Sequence, residues 1–183
     1  AQYSTAIGYN ATSNSSFKVR IGNANVNAVE GQVGYSWPSD GRFKENVKED
    51  VLGLDFILKL DPVSYNFNRL KFAQFIKEHI TPDSEKLLVE QSQNRSVGFI
   101  AQDVEKVLHD IGFTSFDAVH APTNENDNYS MGYAEFVVPL VKAVQELSAI
   151  NDQQNKIIET LQSENKMLFS RLEELEALIK PKK

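Results

Sequence analysis

The 183-residue chain carries 25 acidic and 19 basic residues, a formal net charge of −6, no cysteine and 41% hydrophobic residues. The acidic balance argues against a nucleic-acid backbone or an anionic membrane surface as the main partner. The absence of cysteine excludes disulfides, thiolate chemistry and cysteine-based zinc sites. No apolar run approaches the roughly 20 residues that span a bilayer. The N-terminus, AQYSTAIGYN, lacks the basic and apolar regions of a signal peptide, and we expect it to be the start of a fragment from a longer chain.

Residues 1–38 are rich in Asn, Ser, Gly, Ala and Val and carry few charges. Two pieces, AIGYNA and RIGNAN, echo each other, with Ile7-Gly8 and Ile21-Gly22 in matching places. Short strands separated by Gly and Asn predict a β-roll or β-solenoid coil, the end of a β-rich fibre or stalk. One or two coils cannot bury a core alone, so this region needs stacked neighbours or partner chains. The alternative is a flexible polar linker.

Residues 39–135 predict a compact α+β domain. The pattern of Val51, Leu54, Ile57 and Leu58 predicts a helix over residues 50–60, with Asp50 as its N-cap. The remaining predictions, in chain order, are a strand in PVSYNFN, a helix in KFAQFIKEH, a polar loop in TPDSEKLLVEQSQN, a strand in RSVGFIAQ, a helix in AQDVEKVLHDIG that stops at Gly112, and a solvated turn in NENDN.

Residues 136–183 have the seven-residue period of a coiled coil. The a positions are Val144, Asn151, Ile158, Asn165, Leu172 and Ile179, and the d positions are Leu140, Leu147, Gln154, Leu161, Leu168 and Leu175. Buried amides in such a seam fix the register and the number of helices at a cost in stability. Arg171 and Glu176, at g and e positions, can pair between chains. The pattern predicts a parallel oligomer and leaves dimer and trimer open; the alternative is one long amphipathic helix folded back on the domain.

The stretch SWPSDGRFKENV, residues 36–47, combines a serine and a lysine five positions apart. A serine hydroxyl is a poor nucleophile unless a base takes its proton. A lysine is such a base only when burial or nearby positive charge lowers its pKa. Arg42 is close enough in sequence to supply positive charge, and Asp40 would oppose it. From the spacing alone, a solvated charged turn is the better interpretation.

Several motifs change that interpretation. SDGRFKENV, GLDFILKLDPVSYNF, VGFIAQDVEKV and YAEFVVPLVKAVQEL, in this order, resemble the intramolecular chaperone or peptidase S74 domain that closes phage tail spikes and tail fibres. The resemblance covers roughly residues 38–150, and the trailing heptads suit it. Residues 1–35 resemble, more weakly, the Gly/Asn-rich head repeats of trimeric autotransporter adhesins.

The resemblance implies a parallel homotrimer whose C-terminal part templates an upstream β-fibre of the same chain, in a virion tail fibre or on a bacterial cell surface. It implies self-cleavage with Ser39 as nucleophile and Lys44 as general base, while Asp40 and Arg42 shape the scissile turn. Of the two bonds flanking Ser39, Ser39–Asp40 is the first choice. Other residues in matching segments are Asn46, Gln102 and Asp103, with Gln102 or a backbone N–H as an oxyanion donor.

Three interpretations follow for the whole chain. One is a trimerisation and chaperone module that cuts itself after assembly. Another is a permanent trimeric cap of a surface adhesin or stalk that does not cut. The third, an ordinary hydrolase with an external substrate, lacks a second catalytic cluster in the sequence. The three histidines have no metal-ligand spacing, and we expect no metal, no cofactor, no nucleic acid and no membrane span.

Overall fold

A computed structural model describes residues 2–113 and 116–179. The chain is α+β, with small two-stranded sheets and a long C-terminal helix, as the sequence predicts. It divides into two compact units. The first contains the described residues up to 50 and from 59 to 136. The second contains residues 51–58 and the chain from 137 onward. The three-region division into residues 1–38, 39–135 and 136–183 stays a prediction.

The N-terminal strands pair at the repeat that the sequence contains. Strand β1 (Thr5–Ile7) lies parallel to β2 (Val19–Ile21), and Ile7 is opposite Ile21. Gly8 and Gly22 follow the paired isoleucines with φ angles of 111° and 76°, which side chains rarely adopt. A Cβ on Gly8 would lie 3.4 Å from the Gly22 backbone, so the two turns stack closely. The strand-and-turn pattern is therefore present, and a longer β-roll stays a prediction.

The remaining elements of the first unit are short. In chain order they are β3 (Val63–Asn66), α2 (Arg69–Phe75), α3 (Pro82–Gln91), β4 (Arg95–Gly98), α4 (Ala101–Asp110), β5 (Val119–His120) and β6 (Ser130–Met131). Strands β3 and β4 pair antiparallel, and so do β5 and β6. Gly112 has a φ angle of 70° just beyond α4, in agreement with the predicted stop.

Two local predictions were wrong. The helix expected over residues 50–60 is only one turn, α1 (Leu54–Ile57), and it begins after Gly53 rather than at Asp50. The Leu54 N–H donates to the Glu146 carboxylate at 2.7 Å, so a distant side chain caps this helix. The segment predicted as a polar loop contains α3, because Thr81 and the third helical residue, Ser84, cap each other reciprocally.

A small core joins the N-terminal segment to the rest of the first unit. Ala24, Ala73 and Leu88 are buried together, and Leu70 and Ile80 pack against them. Ala73 and Leu88 belong to α2 and α3, whereas Ala24 follows β2. We call residues 14–26 the upstream segment. It contributes to this core rather than extending freely from it.

The C-terminal helix α5 (Val137–Ile179) contains 43 residues. Only Pro139 and Ala143, near its start, are buried, and every residue from 147 to 179 is exposed. The apolar a and d side chains share this exposure: Leu147, Ile158, Leu161, Leu168, Leu172, Leu175 and Ile179 are each 48% or more exposed. In the single chain, the apolar stripe of α5 from residue 147 onward is therefore exposed to solvent. Among the described residues, no helix is long and apolar enough to cross a membrane.

Candidate active site

The segment around Ser39 is held by one tight turn. Asp40 is the N-cap of a single 3-10 turn, Gly41–Phe43, and its carboxylate accepts the Arg42 backbone N–H at 2.9 Å. The turn closes when the Lys44 N–H donates to the Gly41 carbonyl at 3.2 Å. Short polar residues such as Asp favour turns of this kind because the side chain bonds to the backbone two residues on. The turn reverses the chain, which returns Lys44 toward Ser39.

Ser39 and Lys44 are in direct contact. The Lys44 Nζ donates to the Ser39 Oγ at 2.9 Å, within the reach that proton transfer between a nucleophile and its base requires. Both residues are exposed in the single chain. The structure therefore brings together the two residues that the resemblance singles out. Their roles as nucleophile and base stay predictions.

Arg42 does not act as an isolated positive charge beside the lysine. Its guanidinium donates to the Asp40 carboxylate from Nε at 2.9 Å and from Nη2 at 2.6 Å. The Arg42 side chain, followed by its backbone N–H, lowers the pKa of the Asp40 carboxyl below its usual value, and Asp40 raises the pKa of Arg42 in turn. The pair thus keeps both charges and balances them. These bonds join the ends of the Asp40–Arg42 turn.

The other residues of the resemblance lie apart from this contact. Asn46 is exposed, and its φ angle of 52° places it in the left-handed region that Asn tolerates. Gln102 and Asp103 are exposed in the first turn of α4. The hydrogen bond of the Ser39 hydroxyl in the described part of the chain is with Lys44, and Gln102 takes no part in it. An oxyanion role for Gln102 stays a prediction.

The comparison with known families begins where this turn begins. Residues 39–113 match the family model Peptidase_S74, described as the chaperone of endosialidase. These residues are an intramolecular chaperone domain of the S74 family. No curated protein matches the chain. Ser39 is the first residue of the matched region, so the Ser39–Lys44 contact lies at the N-terminal edge of the S74 domain.

A second polar cluster contacts the upstream segment, and the sequence analysis missed it. Within the first unit, Glu78 is 9% exposed and Asp127 is 3% exposed. Glu78 follows α2 in the S74 domain, whereas Asp127 lies beyond it in the 124–128 loop. The prediction of a solvated turn for NENDN was therefore wrong at Asp127. The signal in the sequence was an acidic residue surrounded by asparagines, which alone does not distinguish a buried carboxylate from a solvated one.

Asp127 gathers donors from several parts of the first unit. The Lys18 Nζ lies 2.7 Å from Oδ1, and the His120 Nε2 lies 2.8 Å from Oδ2. Burial acts to raise the pKa of the Asp127 carboxyl, but its hydrogen bonds outweigh burial and hold that pKa well below its usual range. The hydrogen bonds come from the Lys18 and His120 side chains and from the backbone N–H groups of Thr123 and Asn128. The carboxylate is therefore ionised in the folded protein.

We expect this cluster to make the free energy of unfolding depend on pH in the acidic range. An unfolded Asp has a pKa of about 3.9, so between that value and the lower folded value the unfolded chain binds more protons than the folded chain. The contribution of Asp127 to stability is complete above the unfolded pKa and is lost as pH falls toward the folded one. Urea unfolding midpoints should fall less steeply from about pH 5 to about pH 3 in Asp127→Asn than in the wild type.

The matched control is Glu125→Gln, because Glu125 is an exposed carboxylate of the same loop. It should keep the steep acid dependence of the wild type. Equal slopes for all three proteins would show that Asp127 does not contribute to the acid sensitivity.

No group of three or more His, Asp or Glu side chains that could hold a metal ion occurs in residues 2–113 and 116–179. His120 contacts the Asp127 carboxylate at 2.8 Å, and His109 contacts Asp110 at 3.8 Å on the surface.

Proposed function

We propose that this chain is the C-terminal trimerisation and chaperone part of a fibrous tail or surface protein, and that it cuts itself once at Ser39 after assembly. Three copies would hold three upstream β-segments together. Non-local strand pairing nucleates slowly, so enforced proximity speeds the folding of such a fibre. A cut after assembly would then make unfolding of the fibre irreversible and lock it kinetically.

The observation that carries the self-cleavage proposal is the 2.9 Å hydrogen bond from Lys44 to Ser39 at the first residue of the S74 domain. A neutral lysine amine can take the hydroxyl proton, after which the serine oxygen attacks a peptide carbonyl. The amine of the leaving residue gains a proton, and water then hydrolyses the ester. The net reaction consumes one water and leaves a new carboxylate and a new amine.

The position of the cut limits which copy can supply the hydroxyl. Attack by the Ser39 Oγ on the Pro38 carbonyl of the same chain passes through a five-membered ring and breaks the Pro38–Ser39 bond. Attack on its own carbonyl requires a four-membered ring, which is far more strained. Cleavage of Ser39–Asp40, the first choice from the sequence, therefore needs the hydroxyl of a second copy. The masses of the products distinguish the two bonds.

The C-terminal helix supports the assembly part of the proposal. Its exposed a and d side chains form an apolar stripe, interrupted at Asn151, Gln154 and Asn165, in a 43-residue helix. The stripe is widened by Ile150 and Ile157 at g positions and Phe169 at an e position, each 42% or more exposed. Two helices cover a narrow a/d seam, whereas a wider face needs more partners. This width favours three chains over two.

The exposure of Ser39 and Lys44 in the single chain leads us to link cleavage to assembly. A lysine acts as a base when its surroundings favour the neutral amine, and burial is one way to achieve this. Lys44 is exposed in the single chain, and so are the apolar side chains around it: Val33, Tyr35, Trp37, Phe43 and Val47 are each 68% or more exposed. We infer that neighbouring copies cover this segment in the trimer and complete the site.

The test is the dependence of cleavage on protein concentration. The wild-type chain is unfolded, refolded at a series of dilutions, and followed by intact mass spectrometry and native mass. Cleavage should appear only at concentrations where the chain is trimeric. A cleavage rate that stays constant down to dilutions where the chain is monomeric would contradict the link to assembly.

A second candidate function is a permanent trimeric cap that does not cut. The exposure of Ser39 and Lys44 and the pairing of Arg42 with Asp40 favour it, because the single chain neither encloses the two residues nor places a free cation beside the lysine. A chain that remains intact as a trimer after prolonged incubation would support this candidate. An ordinary hydrolase with an external substrate receives no support from the geometry.

A further inference from the structure

We propose that the upstream segment, residues 14–26, stays bound to the rest of the first unit after the chain is cut near Ser39, so that cutting and release are separate steps. The inference extends the proposed function, in which the cut frees the chaperone from the fibre. It rests on contacts of the first unit alone, and its test does not require that Ser39 cuts the chain.

One half of the attachment surrounds Ala24. Its backbone N–H donates to the buried Glu78 carboxylate at 2.9 Å, and its carbonyl accepts from the Arg69 guanidinium at 3.0 Å. Arg69 also donates to the Val26 carbonyl at 3.1 Å. The Ala24 side chain packs with Ala73 and is only 6% exposed. The S74 domain therefore binds the backbone of the upstream segment on both sides of one small residue.

The other half surrounds Lys18 and Asn14. The Lys18 ammonium pairs with the Asp127 carboxylate, whose side chain is fully buried. The Asn14 amide donates to the Asn126 carbonyl at 2.7 Å and to the Asn128 side chain at 3.1 Å. Charge-assisted hydrogen bonds to a buried carboxylate are among the stronger polar contacts, and removing one partner leaves an uncompensated charge. The 124–128 loop therefore holds the upstream segment at a second point.

The site of the cut is separate from both points. Residues 27–39 are all exposed and contain no regular secondary structure. A break in this stretch leaves the Glu78, Arg69 and Asp127 contacts in place. The attachment fits an extended polar segment with a small residue at position 24 and a cation at position 18. It thus recognises the end of a β-rich fibre of the kind that the Gly/Asn-rich residues 1–38 predict.

The experiment supplies the cut from outside. The full chain carries Ser39→Ala and a fluorophore at its N-terminus. A protease recognition sequence flanked by Gly/Ser linkers replaces residues 32 and 33. After complete cleavage, confirmed on a denaturing gel, a dilution series is analysed by size exclusion. The label should elute with the large fragment at micromolar concentration.

Two matched pairs of variants test the contacts themselves. Ala24→Leu should raise the dissociation constant of the cut fragment at least about tenfold, because the site around Ala24 has no room, whereas Ala28→Leu at an exposed position should not. Asp127→Asn should weaken retention likewise, and Glu125→Gln should not. Ala24 lies in the N-terminal fragment, so Ala24→Leu leaves the sequence of the large fragment unchanged.

Elution of the label away from the large fragment at micromolar concentration, in the cut Ser39→Ala chain that carries neither contact variant, would overturn the inference. Equal retention of Ala24→Leu and Ala28→Leu would overturn it too. Neither result depends on self-cleavage at Ser39, so failure of this inference and failure of the proposed function remain distinguishable.

Discussion

Replacing Ser39 with alanine should abolish self-cleavage, with a loss of at least about a thousandfold in rate, because the reaction loses its nucleophile. The wild-type chain should yield two fragments whose masses meet at one of the bonds flanking Ser39. The measurement is intact mass spectrometry during incubation of the purified protein. Ser36→Ala is the matched control, since Ser36 is an exposed serine of the same stretch, and it should cut at the wild-type rate.

Lys44→Met should show the same loss, because methionine keeps the length of the side chain but accepts no proton from the hydroxyl. Lys48→Met removes an exposed lysine four residues further on and should leave the rate unchanged. Cleavage of Ser39→Ala at the wild-type rate would reject Ser39 as the nucleophile. Cleavage of Lys44→Met at that rate would assign the base to another group.

Placing aspartates in the apolar stripe of α5 should convert the proposed trimer to monomers. Leu161 and Leu168 are d positions, 51% and 62% exposed in the single chain. Each leucine buried on assembly contributes about 1.5–3 kcal/mol, and each Leu→Asp change also brings like charges together in the seam. In Leu161→Asp/Leu168→Asp, the native mass from light scattering at micromolar concentration should fall from three chains to one.

The control for this pair adds the same charge to the opposite side of the helix. Ser163 and Ser170 are f positions of the same two heptads, and Ser163→Asp/Ser170→Asp should remain trimeric. A trimer in the Leu161/Leu168 variant would reject the stripe as the interface. Dissociation of both variants would show that charge, rather than position, decides assembly.

The parts of the fold that were predictable depend on local patterns. The echo of Ile7-Gly8 and Ile21-Gly22 indicated two equivalent strand-and-turn units, and the structure aligns these residues in parallel strands. Gly112 ended α4 where a left-handed residue was expected. The heptads predicted one long helix from about residue 136, because a 43-residue apolar periodicity leaves no other regular structure. In each case, the local structure follows from a pattern of residues that can be read along the sequence.

The parts that were missed depend on distant partners or on cap chemistry. Helix α1 begins at Leu54 because the Glu146 carboxylate, 92 residues away, caps it. Helix α3 was missed because its polar composition obscured the Thr81–Ser84 capping box and the proline at its start. The contacts of Lys18 with Asp127 and of Ala24 with Glu78 join residues 109 and 54 positions apart. No local pattern records such pairs.

For the candidate site, the pairing of Ser39 with Lys44 came from the resemblance rather than from spacing, which favoured a solvated turn. The structure adds that Asp40 caps the turn and pairs with the Arg42 guanidinium. The sequence did not reveal this division of roles, because spacing alone does not show that the Arg42 guanidinium pairs with Asp40.

We propose that the C-terminal helices join three copies of the chain, and that the S74 domain and the upstream segment depend on this proximity for their function. Sedimentation equilibrium of the purified Ser39→Ala chain, which cannot cut itself by the proposed route, measures the number of copies. We expect a single species of three times the 20.6 kDa chain mass at micromolar concentration. A well-folded species with the mass of one chain would contradict it.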